Sequence, residues 1–254
     1  MSLQAQRILV TGGGRGLGAA IVRALCAAGY AVTFTYNSAK DEAEALIRAL
    51  EAAHPRVPVS ARAVDLADRA AVEHLAQELE ADPAPYYGFC HNAGLSYDTL
   101  AAMIDQDKAE TVMQVNHFTF VRLARALVRP MTRARAGRIV AIGSVAALHA
   151  NPGNAAYAAS KAALLAHARG LAVETARRGV TVNYVAPGFI ETGMLARYGT
   201  HLERMAGQIP AGRFATPDDV AQVVTFLFSP GAGYVTGAVI PVDGGLSAQL
   251  AVHR

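Results

Sequence analysis

Three residues between positions 144 and 161 have the types and spacing needed for proton transfer. Ser144 is followed thirteen residues later by Tyr157, and Lys161 comes four residues after the tyrosine. On a helix, Tyr157 and Lys161 would share a face, one turn apart. A lysine ammonium lowers the pKa of a neighbouring phenol from about 10, which allows proton exchange with a carbonyl or alcohol oxygen. Ser144 would have to reach the same oxygen from a nearby loop, and a solvated Tyr–Lys pair is the alternative.

A glycine-rich turn follows the first predicted strand, which covers residues 7–11. The segment TGGGRGLG leads from that strand into a helix that is predicted to stop at Gly29. Its glycines allow a sharp turn, a close backbone approach to a phosphate and close packing of helix on strand, with the helix N-terminus facing the anion. The turn predicts dinucleotide binding through Gly12, Arg15, Gly16, Leu17 and Gly18.

The second predicted strand, 31–36, indicates which dinucleotide is bound. An NAD enzyme usually has an acidic residue after this strand to bind the ribose 2′-hydroxyl. Here the strand is followed by Asn37 and Ser38, which would not repel a 2′-phosphate. Arg15 can supply a positive charge for that phosphate, although it could also be an ordinary solvent-facing loop residue. The pattern favours NADP(H).

Strands and helices alternate along the whole chain, which predicts one doubly wound parallel sheet with helices on both faces in a single domain, 1–254. Ligands of such sheets bind at the carboxyl ends of the strands. Further strands are predicted at 57–64, 86–90, 137–144, 180–188 and 238–245. The residues that these strand ends bring to one edge are Asp65, Leu66, Asn92, Ala93, Gly94, Ser144, Pro187 and Gly188. Asp65 could equally be a turn or capping residue.

Helices are predicted at 39–53, 68–80, 99–131, about 155–178 and 217–228. The third of these has a break near Asn116, where a polar side chain interrupts an apolar pattern. Asn116 is either a hydrogen-bonded kink residue or a functional group. The segment 189–213 interrupts the alternation of strands and helices and predicts a lid over the pocket, with a surface insertion as the alternative.

Composition excludes several classes of protein. The chain has 254 residues, a formal net charge of +3 and 52% hydrophobic residues. It has no apolar run of eighteen residues and no signal-peptide pattern, and its two cysteines fit a reducing compartment, so a cytoplasmic location is expected. The scattered histidines show no metal-ligand spacing, so no metal is expected.

Arginines at helical spacing form a stripe at 122, 125, 129 and 133, in a region without acidic residues between Glu110 and Glu174. This stripe is either a solvated helix face or a docking surface for an anionic partner. Nucleic acid is not expected, because no aromatic residues alternate with these arginines.

Together these motifs resemble the short-chain dehydrogenase/reductase family, with its Rossmann-like fold, along nearly the whole chain. VNYVAPGFIETGM, IPAGRF and Arg15 are most similar to 3-oxoacyl-[acyl-carrier-protein] reductases, and PYYGFCHNAG looks closer to the ketoreductases of aryl polyene-type pigment pathways. One departure is His91, where the family often has a second asparagine; it puts a loop contact in doubt but not the chemistry.

The resemblance implies NADPH-dependent reduction of a 3-oxoacyl thioester on acyl carrier protein, in the synthesis of fatty acids, polyketides or pigments. It also implies a cytoplasmic homotetramer whose interfaces are formed by the helices around 99–131 and 155–178. Tyr157 would donate the proton, Ser144 would orient the ketone oxygen and Lys161 would bind the nicotinamide ribose. Asn116 would hold a relay water. Ile190 and Thr192 would hold the carboxamide, and Arg135 and Arg178, near the pocket mouth, would engage the carrier.

Two other hypotheses remain open from the sequence. One is a dehydrogenase of a sugar, steroid or other small alcohol, since the lid sequence does not reveal the shape of the pocket. The other is a non-catalytic NADP-binding regulatory protein, which the intact Tyr–Lys pair disfavours.

Overall fold

A computed structural model describes residues 6–149, 151–192 and 202–249 of the chain. Its sheet contains seven strands that pair in parallel, in the order β3-β2-β1-β4-β5-β6-β7. The strands are β1 Arg7–Thr11, β2 Ala31–Tyr36, β3 Val59–Ala63, β4 Gly88–His91, β5 Gly137–Ile142, β6 Val180–Pro187 and β7 Val239–Val242. This confirms the predicted doubly wound, Rossmann-like fold.

Helices cover both faces of the sheet. They are α1 Gly16–Ala27, α2 Lys40–Ala53, α3 Arg69–Ala81, α4 Gln106–Met113, α5 Thr119–Ala134, α6 Ala155–Thr175, α7 Leu202–Ala206 and α8 Pro217–Phe228. Buried apolar side chains of α1, α2 and α8 pack on one face, and those of α3, α5 and α6 pack on the other. Two separate cores therefore hold the sheet between them.

The strand order reverses between β1 and β4, which are direct neighbours in the sheet. From β1 the chain winds outward through β2 to β3, and from β4 it winds the other way. The loops after β1 and β4 consequently diverge to opposite faces and leave a crevice at the carboxyl ends of the strands. This is the usual ligand position in an open α/β sheet.

Helix starts differ in how their free backbone amides are satisfied. Asp68 and Asp105 accept hydrogen bonds from the first turns of α3 and α4, and Thr216 forms a capping box with Asp219 at α8. Arg15, at the start of α1, makes no side-chain cap, and the first turn of α1 has no acidic residue. The amides of α1 are therefore available to an anion.

The prediction of a long helix at 99–131 is wrong about where the helix starts and is confirmed in its break near Asn116. Residues Ala101–Met103 form a single 3-10 turn, and the α-helix begins only at Gln106. The break at Asn116 is a π-helical turn, Gln114–Phe118, between α4 and α5. Such turns widen the helix by one residue and are frequent at functional sites.

The arginine stripe on α5 is not wholly free for docking. Arg122 forms ion pairs with Glu73 and Glu80 of α3, and its contact with Glu73 holds the pKa of that carboxyl at about 2. Arg125, Arg129 and Arg133 are exposed. Arg122 thus joins two helices of one face, and only the other three arginines fit a solvated face or a docking surface.

None of the helices in the described part of the chain is long and apolar enough to cross a membrane.

The core on the α3–α5–α6 face depends on fully buried side chains such as Leu123 of α5. Leu123→Ala is expected to lower the free energy of unfolding by about 2–5 kcal/mol, because it removes buried methyl groups and leaves a cavity. Denaturant unfolding measures this change. Leu100→Ala is the matched control, since Leu100 is 60% exposed and its truncation should change stability little. Equal losses for both variants would contradict the assignment of Leu123 to the core.

Candidate active site

Strand β5 ends at Ile142 and delivers Ser144 to the carboxyl edge of the sheet. The Ser144 amide donates to the hydroxyl of Tyr184 at 3.0 Å, and the Ser144 hydroxyl oxygen accepts from the amide of Ala146 at 3.1 Å. The hydroxyl of Tyr184 in turn lies 3.2 Å from the carbonyl oxygen of Lys161 and donates to it. Buried Tyr184 therefore ties the Ser144 loop to α6, and Ser144 keeps its hydroxyl hydrogen to donate to a ligand.

Lys161 is buried, with 3% of its surface exposed. Its Nζ donates to the carbonyl oxygen of Ile142 at 2.9 Å. Burial lowers the pKa of Lys161 from its usual 10.5 to about 8. A Cβ on Gly94 would come within 3.1 Å of Nζ, so a glycine at this position leaves space beside the ammonium. The remaining N–H groups of the ammonium can bind a ligand there.

Tyr157 lies half-buried on the same face of α6, one turn before Lys161. The Nζ atom of Lys161 is 5.9 Å from the centre of the Tyr157 ring. The predicted pairing on one helix face is thus present. Since Lys161 is held from the sheet side by Ile142, its charge stays fixed next to the tyrosine.

Asn116 is fully buried in the π turn, and its side chain makes three hydrogen bonds. Its Oδ1 accepts from the amide of Leu95 at 2.8 Å, and its Nδ2 donates to the Leu95 carbonyl at 2.9 Å and to Ser160 Oγ at 2.8 Å. The Cβ position of Gly94 is 3.3 Å from Asn116 Oδ1. Asn116 therefore joins the loop after β4 to the helix that carries Tyr157 and Lys161.

The glycine turn and the loop after β4 are locked together. Thr11 Oγ1 accepts from the amides of Asn92 and Ala93, both at 3.1 Å, and Asn92 Nδ2 donates to the carbonyl of Gly12 at 3.0 Å. A Cβ at Gly18 would lie 1.9 Å from the Gly12 carbonyl oxygen, so the first turn of α1 can pack this closely only with glycine. The backbone of the turn is thereby held at the crevice.

The other predicted cofactor residues surround this turn. Asn37 and Ser38 are exposed immediately after β2, and Arg15 is exposed at the start of α1. After β6, Thr192 lies beside the turn, since a Cβ on Gly16 would be 3.8 Å from its methyl group. Of the remaining predicted residues, Leu17 and Ile190 pack against the core on the α1–α8 side. Pro187 ends β6 and Gly188 follows it, and Leu66 is buried after β3.

Asp65 is exposed and accepts from the amide of Ala67 at 3.0 Å. It therefore serves at least as the turn residue that the sequence left as an alternative.

Arg135 and Arg178 are brought together, but not at the pocket mouth. Arg135 precedes β5 and Arg178 precedes β6, so both lie at the amino ends of strands whose carboxyl ends carry the site. The six residues of β5 alone span about 20 Å. Arg135 Nη2 donates to the carbonyl of Arg177 at 3.2 Å, which joins the two turns. The structure thus places both arginines at the opposite end of the sheet from Ser144, and their engagement of a carrier protein stays a prediction.

Sequence reasoning missed buried residues whose hydrogen bonds support the segments that carry the site. Thr11 and Tyr184 are buried polar residues within apolar strand patterns, and Ser160 lies beside Lys161 on α6. His91, noted only as a departure, is fully buried at the end of β4. Thr11 and His91 lie at the ends of predicted strands and Ser160 lies next to a predicted functional residue, whereas Tyr184 lies in the middle of a predicted strand and gave no such signal.

The described residues contain no group of three or more His, Cys, Asp or Glu side chains that could hold a metal ion. The acid–base groups on hand are the phenol of Tyr157 and the ammonium of Lys161, with the Ser144 hydroxyl as a hydrogen-bond donor. Such a set can transfer a proton to or from an oxygen of a carbonyl or alcohol. Beside it lies a helix start suited to a phosphate.

This fold and this site define a short-chain dehydrogenase/reductase, and the chain belongs to that family and is an oxidoreductase. The family model described as "Enoyl-(Acyl carrier protein) reductase" matches residues 12–247.

Among curated relatives, the 3-oxoacyl-[acyl-carrier-protein] reductase FabG of Pseudomonas aeruginosa is 41% identical over 251 residues, covering 97% of this chain and 99% of the relative. Among solved structures, this chain is similar to the crystal structure of a gluconate 5-dehydrogenase from Burkholderia cenocepacia in complex with NADP and tartrate. The TM-score is 0.88 and the sequence identity 29%, and the match covers 98% of this chain and 97% of the dehydrogenase chain. A short-chain dehydrogenase/reductase from Serratia marcescens matches with a TM-score of 0.89 and 33% identity. This match covers 97% of the present chain and 100% of the Serratia chain.

Burial of the Lys161 ammonium should appear in the pH dependence of stability. Its pKa is about 8 in the fold and 10.5 when free, so the charged form is disfavoured in the fold. This penalty, about 3 kcal/mol, is fully present below pH 8 and is relieved as the pH rises from 8 to 10.5. Lys161→Met should therefore unfold at higher denaturant concentration than wild type at pH 7, with the difference shrinking toward pH 10.

Chemical denaturation of both proteins across that range, without cofactor, makes the comparison. A constant difference at all pH values would contradict the burial of a charged Lys161.

Proposed function

We propose that this enzyme reduces a 3-oxoacyl thioester carried by an acyl carrier protein to the 3-hydroxyacyl thioester, using NADPH. The observation that carries the proposal is the assembly of Ser144, Tyr157, Lys161 and Asn116 at the edge where the glycine turn opens. The 41% identity to a 3-oxoacyl-[acyl-carrier-protein] reductase along nearly the full length supports the choice of substrate.

The residues at the crevice fit a dinucleotide phosphate. The start of α1 has no side-chain cap, and the absence of a side chain at Gly18 lets the helix start pack against the Gly12 carbonyl. Arg15, Asn37 and Ser38 are exposed around it and include no acid that would repel a 2′-phosphate. The bound cofactor of a structural relative is NADP. When bound, NADPH would supply the hydride that reduces the ketone.

In this proposal the protein orients the substrate ketone and donates a proton to it. Ser144, fixed by Tyr184, donates a hydrogen bond to the ketone oxygen and orients it. Tyr157 donates its phenolic proton to that oxygen as it becomes an alkoxide. The Lys161 ammonium stabilises the phenolate that results and binds the nicotinamide ribose with its remaining N–H groups. Asn116 holds the water through which the proton is replaced.

The residues after β6 complete the proposed cofactor site. Thr192 lies next to Gly16, and Ile190 forms a bridge with Ala215, so this loop can hold the carboxamide. The lid at 189–213 and the single-domain assignment remain predictions. Residues 193–201 lie outside the described residues, and in the rest of the segment Ile209 packs with Phe189, Phe214 and Leu202.

We propose that Arg135 and Arg178 of one copy of the chain bind the carrier protein whose substrate enters the site of a second copy. The exposed face of α6 carries small or apolar residues at helical spacing, Ala159, Ala162, Ala166 and Val173. If two copies pair these faces about a two-fold axis, the carboxyl ends of α5 and α6 in one copy lie beside the other copy's site. A homotetramer, predicted from the sequence, provides such pairing. The cytoplasmic location and the choice between fatty acid and pigment synthesis also remain predictions.

A sugar or small-alcohol dehydrogenase is the second candidate, favoured by the close structural match to a gluconate 5-dehydrogenase. Oxidation of gluconate with NADP⁺, measured beside reduction of an acetoacetyl thioester with NADPH, separates the two. A higher kcat/KM for gluconate would overturn the first proposal. A non-catalytic role would leave both reactions at background.

Tyr157→Phe removes only the phenolic hydroxyl. It is expected to lower thioester turnover by about 10²–10⁴-fold, because the proton donor is lost. NADPH affinity, measured by fluorescence titration, should stay within about twofold, since the ring remains. Tyr234→Phe is the matched control, because Tyr234 is fully exposed. Turnover by Tyr157→Phe at the wild-type rate would exclude Tyr157 as the acid.

Replacing both Arg135 and Arg178 with alanine should raise the KM for a carrier-bound 3-oxoacyl substrate by about three- to tenfold, because an electrostatic docking contact is lost. The kcat/KM for a small acetoacetyl thioester without carrier should not change. Arg23→Ala, on the exposed face of α1, controls for loss of positive charge alone. An equal effect on both substrates would refute docking at these arginines.

A further inference from the structure

His91 connects the two halves of the site through a buried chain of hydrogen bonds. It is the last residue of β4 and is fully buried. Its Nδ1 lies 3.0 Å from Thr11 Oγ1, and its Nε2 lies 3.3 Å from the backbone carbonyl oxygen of Asn116. Thr11 ends β1 just before the glycine turn, whereas Asn116 lies in the π turn. The imidazole therefore bridges the cofactor turn and the helix behind the catalytic residues.

The hydrogen-bond partners fix which ring nitrogen carries the proton. Thr11 Oγ1 already accepts from the amides of Asn92 and Ala93, which leaves its own hydrogen to be donated. The acceptor is Nδ1 of His91, so the neutral ring carries its hydrogen on Nε2 and donates it to the Asn116 carbonyl. Burial, and next the charge of Lys161, lower the pKa of His91 to about 3, which keeps the ring neutral. The other titratable group acting on it is His117.

The ring also has a fixed position. It packs against Phe89 of β4 and Phe120 of α5, with ring centres 6.1 Å and 5.7 Å away. A buried, packed side chain with both polar atoms satisfied has one orientation, so the distance between Thr11 and Asn116 is set by the width of an imidazole.

Resting on the proposed function, we propose that His91 is a positioning residue for the reduction. By holding the carbonyl of Asn116 within the π turn, it sets the backbone from which the Asn116 side chain reaches Leu95 and Ser160. Those contacts hold the loop of Gly94 against Lys161. His91 thereby couples the placement of the Lys161–Tyr157 pair to Thr11 at the end of β1, where the cofactor turn begins.

Two conservative variants separate the two hydrogen bonds. In His91→Gln the side-chain amide reaches the place of Nε2 and can still donate to Asn116. In His91→Asn the shorter amide reaches only the place of Nδ1 and can still accept from Thr11. His91→Phe keeps the ring volume and loses both bonds.

We expect kcat for NADPH-dependent thioester reduction to fall about tenfold in His91→Asn and to stay within about threefold in His91→Gln. The KM for NADPH should change less than twofold in both variants. A role in stability alone would instead lower the melting temperature of both variants without a difference in kcat between them. His91→Phe is expected to be at least as slow as His91→Asn.

A second measurement does not depend on the substrate. The Leu95 amide donates to Asn116 Oδ1, so its hydrogen exchange, normalised to core amides such as that of Val140, should accelerate in His91→Asn but not in His91→Gln. If the wild-type enzyme does not reduce the thioester, the proposed function fails, and Leu95 exchange still decides the role of His91. Equal exchange and equal kcat in wild type and His91→Asn would overturn the proposal, and so would equal losses in His91→Asn and His91→Gln.

Discussion

The buried ammonium of Lys161 is the constraint on which the arrangement of this site depends. A charged group inside a protein is unfavourable unless it is paired or hydrogen-bonded. Here its described protein partner is the carbonyl of Ile142, at the end of β5, which is a neutral acceptor. The fold therefore carries a destabilising charge, enclosed beside Tyr157. In the proposed function this charge supports proton transfer, which would set stability and activity in opposition at this residue.

The neighbours of Lys161 show how the sheet supports this charge. Tyr184 on β6 holds the carbonyl of Lys161 and the amide of Ser144, so α6 and the loop after β5 share one buried hydroxyl. Burial raises the pKa of Tyr184 above its usual range, which keeps that hydroxyl protonated and able to donate. At the hydroxyl end of this ring, Gly143 leaves room that a side chain would fill, since a Cβ there would be 1.7 Å from Cζ and 1.9 Å from the hydroxyl oxygen of Tyr184. The glycine next to Ser144 is thus needed for the contact between Tyr184 and the Ser144 loop.

Much of the fold and the site could be predicted from the sequence, for identifiable reasons. Alternating strands and helices produce one sheet topology, and residues after parallel strands meet at one edge, so Ser144, Asn92 and the glycine turn converge without knowledge of any contact. The i, i+4 spacing of Tyr157 and Lys161 fixed their common face.

The parts that could not be predicted depend on contacts between distant elements. The sequence showed a break at Asn116 but not its π geometry, and it showed arginines at 135 and 178 but not that the strands separate them from their own pocket. His91 and Tyr184 are polar residues whose partners are 25 and 40 positions away in the chain, and no local pattern reveals such a pair.

The π turn also makes the chain sensitive to length at one place. A helix turns by about 100° for each residue, and the wider π turn at 114–118 takes up one extra residue so that α5 keeps its rotation relative to α4. Deleting a single residue there would restore an ordinary helix and keep the apolar stripe of α5, including Phe120 and Leu127, on the sheet, but it would remove the wide turn that places Asn116. A surface loop can change length with little penalty, whereas this segment fixes the phase of everything packed behind the site. A further residue inserted here would rotate α5 by about 100°, whereas a deletion would displace Asn116 and leave the packing of α5 in place.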